Sequence, residues 1–123
     1  MKIVVKKSEL HGRGVFAKVD IEKDEIIEEC HVILIPIEEE KFLDKTFLYN
    51  YYFEWDKNNV AIILEYGSIY NHSHNANAEF DSNTENKTMI LTAARKINRG
   101  EEITVNYNGD YNDNKKVWFE ISD

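Results

Sequence analysis

The sequence predicts a mostly β protein built as one domain, and three observations carry that prediction. Short apolar or alternating runs rich in β-branched residues recur along the chain, clusters of turn-forming residues separate them, and one segment alone has the composition of a helix. A chain of 123 residues is the size of one domain and buries roughly two thirds of the surface that its unfolded form exposes, enough for one core and too little for two. A hydrophobic fraction of 42%, with two Trp, seven Tyr and six Phe, can fill that core, and 31% charged residues predict a soluble surface.

Taken in order, residues 3–5 (Ile-Val-Val) and 14–17 (Gly-Val-Phe-Ala) read as strands, as does the longer run 26–35. Glu22-Lys23-Asp24-Glu25 separates the second from the third as a turn. After Pro36, residues 38–52 carry Phe42, Leu43, Phe47 and Leu48 at helical spacings and predict the one helix. Residues 61–64 form another strand, and residues 66–77 have almost no periodicity. A polar irregular segment between strands is where function usually concentrates. Residues 78–80 and 88–90 predict a hairpin across the polar stretch 81–86, within a strand over 88–93, and Asn98-Arg99-Gly100-Glu101 turns the chain into a last strand at 103–105.

Charge and composition narrow the partners. The formal net charge is −8; residues 1–60 hold nine basic and thirteen acidic side chains, residues 61–123 six and ten, so each half carries −4 and no basic stretch is segregated. Direct nucleic-acid binding is disfavoured, because neutralising phosphates needs clustered Lys and Arg, and a cationic partner suits the field better. The same acidity also serves solubility. No run approaches the ~20 apolar residues that cross a bilayer, and the apolar part of Met1-Lys2-Ile3-Val4-Val5-Lys6-Lys7 is too short for a signal peptide. The expectation is an intracellular protein, cytoplasmic or nuclear, neither secreted nor membrane-bound. The single cysteine, Cys30, excludes an internal disulfide and a cysteine-rich zinc site, and reads as a buried, inert thiol.

Three constellations could carry chemistry. His11-Gly12-Arg13-Gly14-Val15-Phe16-Ala17 has two glycines that permit a sharp turn or a close approach to a ligand; a strand-like continuation excludes a dinucleotide-binding loop, and a plain β-turn is the simpler alternative. Asn71-His72-Ser73-His74-Asn75-Ala76-Asn77 places two histidines two apart, but without further ligands at suitable spacing, so no metal is expected. Its asparagines, with both donors and acceptors, suit a loop that bonds buried backbone or a polar ligand. Gly100-Glu101-Glu102-Ile103-Thr104-Val105-Asn106-Tyr107 leads to Tyr107 and Tyr111, whose aromatic faces and neutral hydroxyls suit a cation, or else cap a β-core.

In this order and spacing the three segments resemble the SET-domain lysine methyltransferases over nearly the whole chain, and are most similar to very short, single-domain members of viral or microbial type. The resemblance implies a β-clip-like SET fold of several small sheets with one short helix, in which the 71–77 segment and the Tyr107 strand form a knot-like crossing. It implies S-adenosylmethionine as cofactor and a lysine-bearing basic protein, such as a histone, as substrate. By the family pattern the backbone of Gly12, Arg13, Gly14, Val15 and Phe16 meets the methionine part of the cofactor, Asn71 its amino end and the His72 backbone its adenine. Tyr107 matches the catalytic tyrosine beside the transferring methyl. Tyr51 and Tyr111 are assigned to the lysine channel, Tyr51 chosen over Tyr49 and Tyr52, which default to packing.

Two departures accompany the match. Many relatives have an arginine before the Asn-His pair and a proline before the later asparagine; here Gly67-Ser68-Ile69-Tyr70 and Ala76 stand instead, and a less rigid 71–77 loop is expected. Flanking cysteine-rich segments are absent. Residues 1–111 are therefore read as the core and 112–123 as a tail that closes the cofactor site, with Trp118 or Phe119 packing on adenine. Glu28, Glu29, Glu54 and Glu65 are candidates for an acidic groove that receives the basic peptide. A catalytically silent module that binds a basic tail is the alternative function, and the small size favours a homodimer.

Overall fold

The β-branched runs form strands in a computed structural model that describes residues 2–106. One sheet has the order β1-β2-β9-β6, from β1 (Ile3–Lys7), β2 (Arg13–Ala17), β9 (Glu102–Val105) and β6 (Asn71–His72). The other runs β4-β5-β3-β8-β7, from β4 (Tyr52–Glu54), β5 (Asn59–Ile63), β3 (Ile26–Pro36), β8 (Thr88–Ala93) and β7 (Ala78–Asn83). Apolar residues of both meet in one core that includes Ile3, Val15 and Ile103 from the first sheet and Cys30, Met89 and Leu91 from the second.

β3 is long enough to serve two neighbours. Its first part pairs with β8 as far as His31–Thr88, and from Val32 onward it pairs with β5 on the other edge. A bulge between Ile26 and Glu28 admits one extra residue, which shifts the alternation so that Ile27 and Cys30, three positions apart, are both buried. The loop after β2 and the loop before β9 are tied by Ile21 and Ile97, both fully buried, which exchange two backbone hydrogen bonds of 2.8 Å.

The expected helix over 38–52 is corrected to shorter pieces. A 3-10 turn at Ile37–Glu39 leads into one α-helical turn, α1 (Glu40–Leu43), a second 3-10 turn follows at Phe47–Asn50, and Tyr52 already belongs to β4. Thr46 is the physical reason for the break. Its hydroxyl donates to the Leu43 carbonyl (2.8 Å) and accepts from Leu48 N (3.1 Å), while its backbone is extended. A short polar side chain here outcompetes the helix for its own backbone groups. Phe42, Phe47 and Leu48 consequently stay exposed instead of forming a buried helical face. The hairpin is present as β7–β8, but its register places Ala78 opposite Ala93 and its turn at residues 84–87, closer to β8 than the sequence suggests.

Candidate active site

The site is organised by a crossing. β6 lies parallel to β9, with Asn71 beside Thr104 and His72 beside Val105, and Ser73 N donates to the Val105 carbonyl (3.0 Å). Parallel neighbours need a long connection, supplied here by the β7–β8 hairpin and the loop after it. The pairing ends two residues before Tyr107, at Val105, followed by the buried Asn106. Tyr107, Tyr111, Trp118, Phe119 and the whole tail 112–123 lie outside the described residues.

Asn77 extends β9's pairing with its side chain. Its Nδ2 donates to the Glu102 carbonyl (2.8 Å) and its Oδ1 accepts from Thr104 N (2.9 Å), so a carboxamide stands where a further strand's peptide would. The residue is 2% exposed, which makes both bonds costly to lose. Around Ala76, Arg95 donates to the Ala76 carbonyl (2.8 Å), Ser73 Oγ accepts from Asn75 N (2.9 Å), and Asn77 is bonded at both ends of its amide.

The two early glycines have different tasks. Gly12 turns the chain at φ +48° with open space around a would-be Cβ, whereas a Cβ on Gly14 would stand 2.2 Å from Glu102 Oε2. Asn71 crosses to the same turn. Its Nδ2 donates to the His11 and Arg13 carbonyls (both 3.0 Å) and to Glu102 Oε2 (2.8 Å). Three surrounding oxygens decide which end of the amide is nitrogen, since a carbonyl oxygen could not sit among them. Val15 is fully buried, and the Phe16 ring lies under the Lys6 ammonium at 4.6 Å from the ring centre.

Gly12, Arg13, Gly14 and Asn71 are thus brought together, with His72 next in the same strand. The His72 and His74 rings meet edge to face at 4.5 Å, and among the described residues no group of three His, Cys, Asp or Glu side chains is placed to hold a metal. Tyr51 follows the Phe47–Asn50 turn, its ring against Phe47 at 5.3 Å. Tyr52 donates its hydroxyl to Asp44 (2.6 Å), and partial burial first, then this carboxylate, pushes its ionisation up.

The acidic candidates are mostly engaged with the protein. Glu28 accepts from the Tyr70 hydroxyl (2.8 Å), Glu29 from Thr88 (2.6 Å), and Glu65 from His31 (2.7 Å). Tyr70 is 1% exposed, and burial above all, then the charge of Glu28, keeps it neutral. Cys30 is fully buried, and burial followed by Glu28 pushes its thiol far from ionisation, the inert state expected of it. Sequence reasoning assigned no role to Ser8, Arg95 or Glu102. For Glu102 no sequence signal could have given one, since its partners are set only when β9 lies beside β2.

Comparison with known proteins agrees with this geometry. The family model described as SET domain matches residues 12–108. The chain belongs to the SET-domain protein-lysine methyltransferases. It is 30% identical over 117 residues to a Schizosaccharomyces pombe histone-lysine N-methyltransferase, H3 lysine-37 specific, covering 94% of this chain and 76% of that protein. It is 32% identical to the N-lysine methyltransferase KMT5A of Xenopus tropicalis, covering 85% of this chain but 34% of the relative's length. A crystal structure of a Plasmodium falciparum protein, described as a histone methyltransferase, superposes with a TM-score of 0.69 at 36% identity, over 86% of this SET domain and 92% of that chain.

Proposed function

We propose that this SET domain transfers a methyl group from S-adenosylmethionine to the side-chain amine of a lysine in a basic protein of the histone type, leaving S-adenosylhomocysteine. The observation that carries the reading is the Asn71 carboxamide: with Nδ2 held by His11, Arg13 and Glu102, its Oδ1 is the edge left to accept from a ligand's ammonium. That acceptor fits the ammonium at the amino end of the cofactor, and the turn at Gly12, Arg13 and Gly14 lies beside Asn71. When bound, the cofactor supplies an electrophilic methyl on a sulfonium.

The chain's own residues have three tasks. Asn71 and the His72 backbone orient the bound molecule, and Trp118 in the tail 112–123 is assigned to cover its adenine. Tyr51 and Tyr111 line an apolar lysine channel; a free lysine has a pKa near ~10.4, and desolvation there favours the neutral amine that can attack. Tyr107 is the catalytic residue, its hydroxyl orienting the amine in line with the methyl. A histone substrate implies an intracellular site of action. A homodimer belongs to the same proposal, and sedimentation velocity at micromolar concentration decides it.

The test is radiolabelled methyl transfer to a histone mixture, with mass spectrometry to locate the modified lysines. Tyr107→Phe is expected to lower turnover by about a hundredfold or more, in the range of a lost positioning or proton-handling group, with cofactor affinity unchanged by calorimetry. Cofactor-saturated wild-type protein that labels no lysine-rich substrate is the result that would replace the enzyme with a peptide-binding module.

A further inference from the structure

Glu102, the first residue of β9, receives hydrogen bonds from two separate segments of the site. Its Oε1 accepts from Ser8 Oγ (2.6 Å) and its Oε2 from Asn71 Nδ2 (2.8 Å). Ser8 has no other proton to offer from its hydroxyl, which itself accepts from Leu10 N (2.9 Å) and His11 N (3.3 Å), while Ser8 N donates to the Gly12 carbonyl (2.8 Å). Ser8 therefore folds the loop leading to Gly12, and Glu102 joins that loop to Asn71. Gly14 completes the arrangement, because any Cβ there would collide with the Glu102 carboxylate.

Two donors converging from opposite sides require a side chain that accepts at both ends, which a carboxylate alone provides. Glutamine would present an NH2 either to Asn71 Nδ2 or to Ser8 Oγ. The first is donor against donor. Turning Asn71 over to relieve it would set Oδ1 against the His11 and Arg13 carbonyls, and at Ser8 the acceptor positions are already taken.

We infer that Glu102 is a positioning residue for cofactor binding: it fixes the Asn71 carboxamide with its nitrogen toward the protein and its oxygen toward the ligand ammonium, and locks that amide to the Gly12 turn. The inference rests on the cofactor reading given under Proposed function. It adds a role for Glu102 and Ser8, and a reason for Gly14 that is independent of any direct contact between Gly14 and the ligand.

The experiment compares the full chain with Glu102→Gln, Ser8→Ala and Asn71→Ala. Loss of a charge-assisted hydrogen bond predicts that Glu102→Gln weakens cofactor binding by about tenfold or more in calorimetry, and Ser8→Ala by a few-fold. The cofactor KM should rise in step while kcat and the peptide KM stay within about threefold, since uniform binding is what is lost. In nitrogen-15 spectra of the cofactor-free protein, the Asn71 side-chain NH2 pair should be slowly exchanging in wild type and fast exchanging in Glu102→Gln. A folded Glu102→Gln with wild-type affinity, beside a weakened Asn71→Ala, overturns the positioning role alone. Wild-type affinity in Asn71→Ala overturns the cofactor reading and this inference with it. A proportional fall in kcat with an unchanged cofactor KM reduces Glu102 to a folding role, and if Glu102→Gln does not fold, unchanged affinity in Ser8→Ala overturns the proposal.

Discussion

The two sheets share one core but are held together differently. In the five-stranded sheet, β7 and β8 pair over the whole of both strands, and β3 is paired along nearly its full length by β8 and β5. Backbone ladders and apolar side chains are sufficient there. In the four-stranded sheet, β9 meets β2 through Val15 and Phe16 only and β6 through Asn71 and His72 only, and further connections come from the buried polar side chains of Asn77, Asn71 and Ser8 and from the half-buried Glu102. The difference teaches where binding chemistry can be built. A region held by oriented carboxamides and a carboxylate already has its donors and acceptors fixed, at the cost of tolerating few substitutions.

Asn77→Asp attacks the polar side of this contrast and has the largest expected effect. The replacement keeps an acceptor for Thr104 N but turns a carboxylate oxygen toward the Glu102 carbonyl at a position 2% exposed. When protonated, the introduced carboxyl donates as the amide did, so the folded state raises its pKa above the ordinary Asp value. The penalty therefore begins near pH ~3.9, grows by about 1.4 kcal/mol per pH unit as pH rises, and is limited to about 4 kcal/mol at pH 7. Urea unfolding at pH 4.5 and 7 checks it, with weakened cofactor binding at the higher pH. An equal deficit at both values would mean that Asn77 is not the link described.

Leu91→Ala makes the opposite attack. Leu91, on β8, is 2% exposed and belongs to the common core. Removing its side chain should cost about 3 kcal/mol through lost burial and the cavity left behind. Because no polar group of the site changes, cofactor affinity measured where the variant is folded should stay within about twofold, as for distant independent sites. A tenfold loss of affinity would show that the ladder region and the site are mechanically one.

How much of this was legible in the sequence follows the same division. The strands of the ladder region were legible because short apolar runs rich in Ile and Val stand there between turn residues, and the hairpin because polar turn residues interrupt two of them. β6 was not legible: two residues of polar composition carry no periodicity, and their strand character comes from pairing with β9, Asn71 beside Thr104 and His72 beside Val105. The helix failed at Thr46, where one hydroxyl decided a local competition that composition could not rank. At the site, motif resemblance pointed to Gly12, Gly14, Asn71 and His72 as candidates, but not to Gly14 making room for Glu102, because that relation exists only once β2 and β9 are side by side.

Glu65 gives the smallest effect and the finest test, because it puts a polar clamp on the ladder side. It stands at φ +52°, and its carboxylate accepts from His31 N (2.9 Å) and is 2.7 Å from His31 Nδ1, where β3 leaves β8 for β5. The side-chain bond to His31 is the main cause holding this carboxyl below the usual glutamate range. A depressed carboxyl contributes stability above its unfolded value, near ~4.3, and loses it as pH falls through the lowered folded value. Glu65→Gln should therefore lower stability at pH 6 and match wild type by about pH 2 in thermal unfolding. With the two side chains 74% and 39% exposed, solvent screening limits the difference to below about 1 kcal/mol, and high salt should shrink it further. Cofactor affinity at neutral pH should not change. Glu102 and Glu65 each accept from two donors, one from two side chains across the short sheet and the other from a single exposed residue. If Glu65→Gln cost as much as Glu102→Gln, burial could not be what separates the two regions.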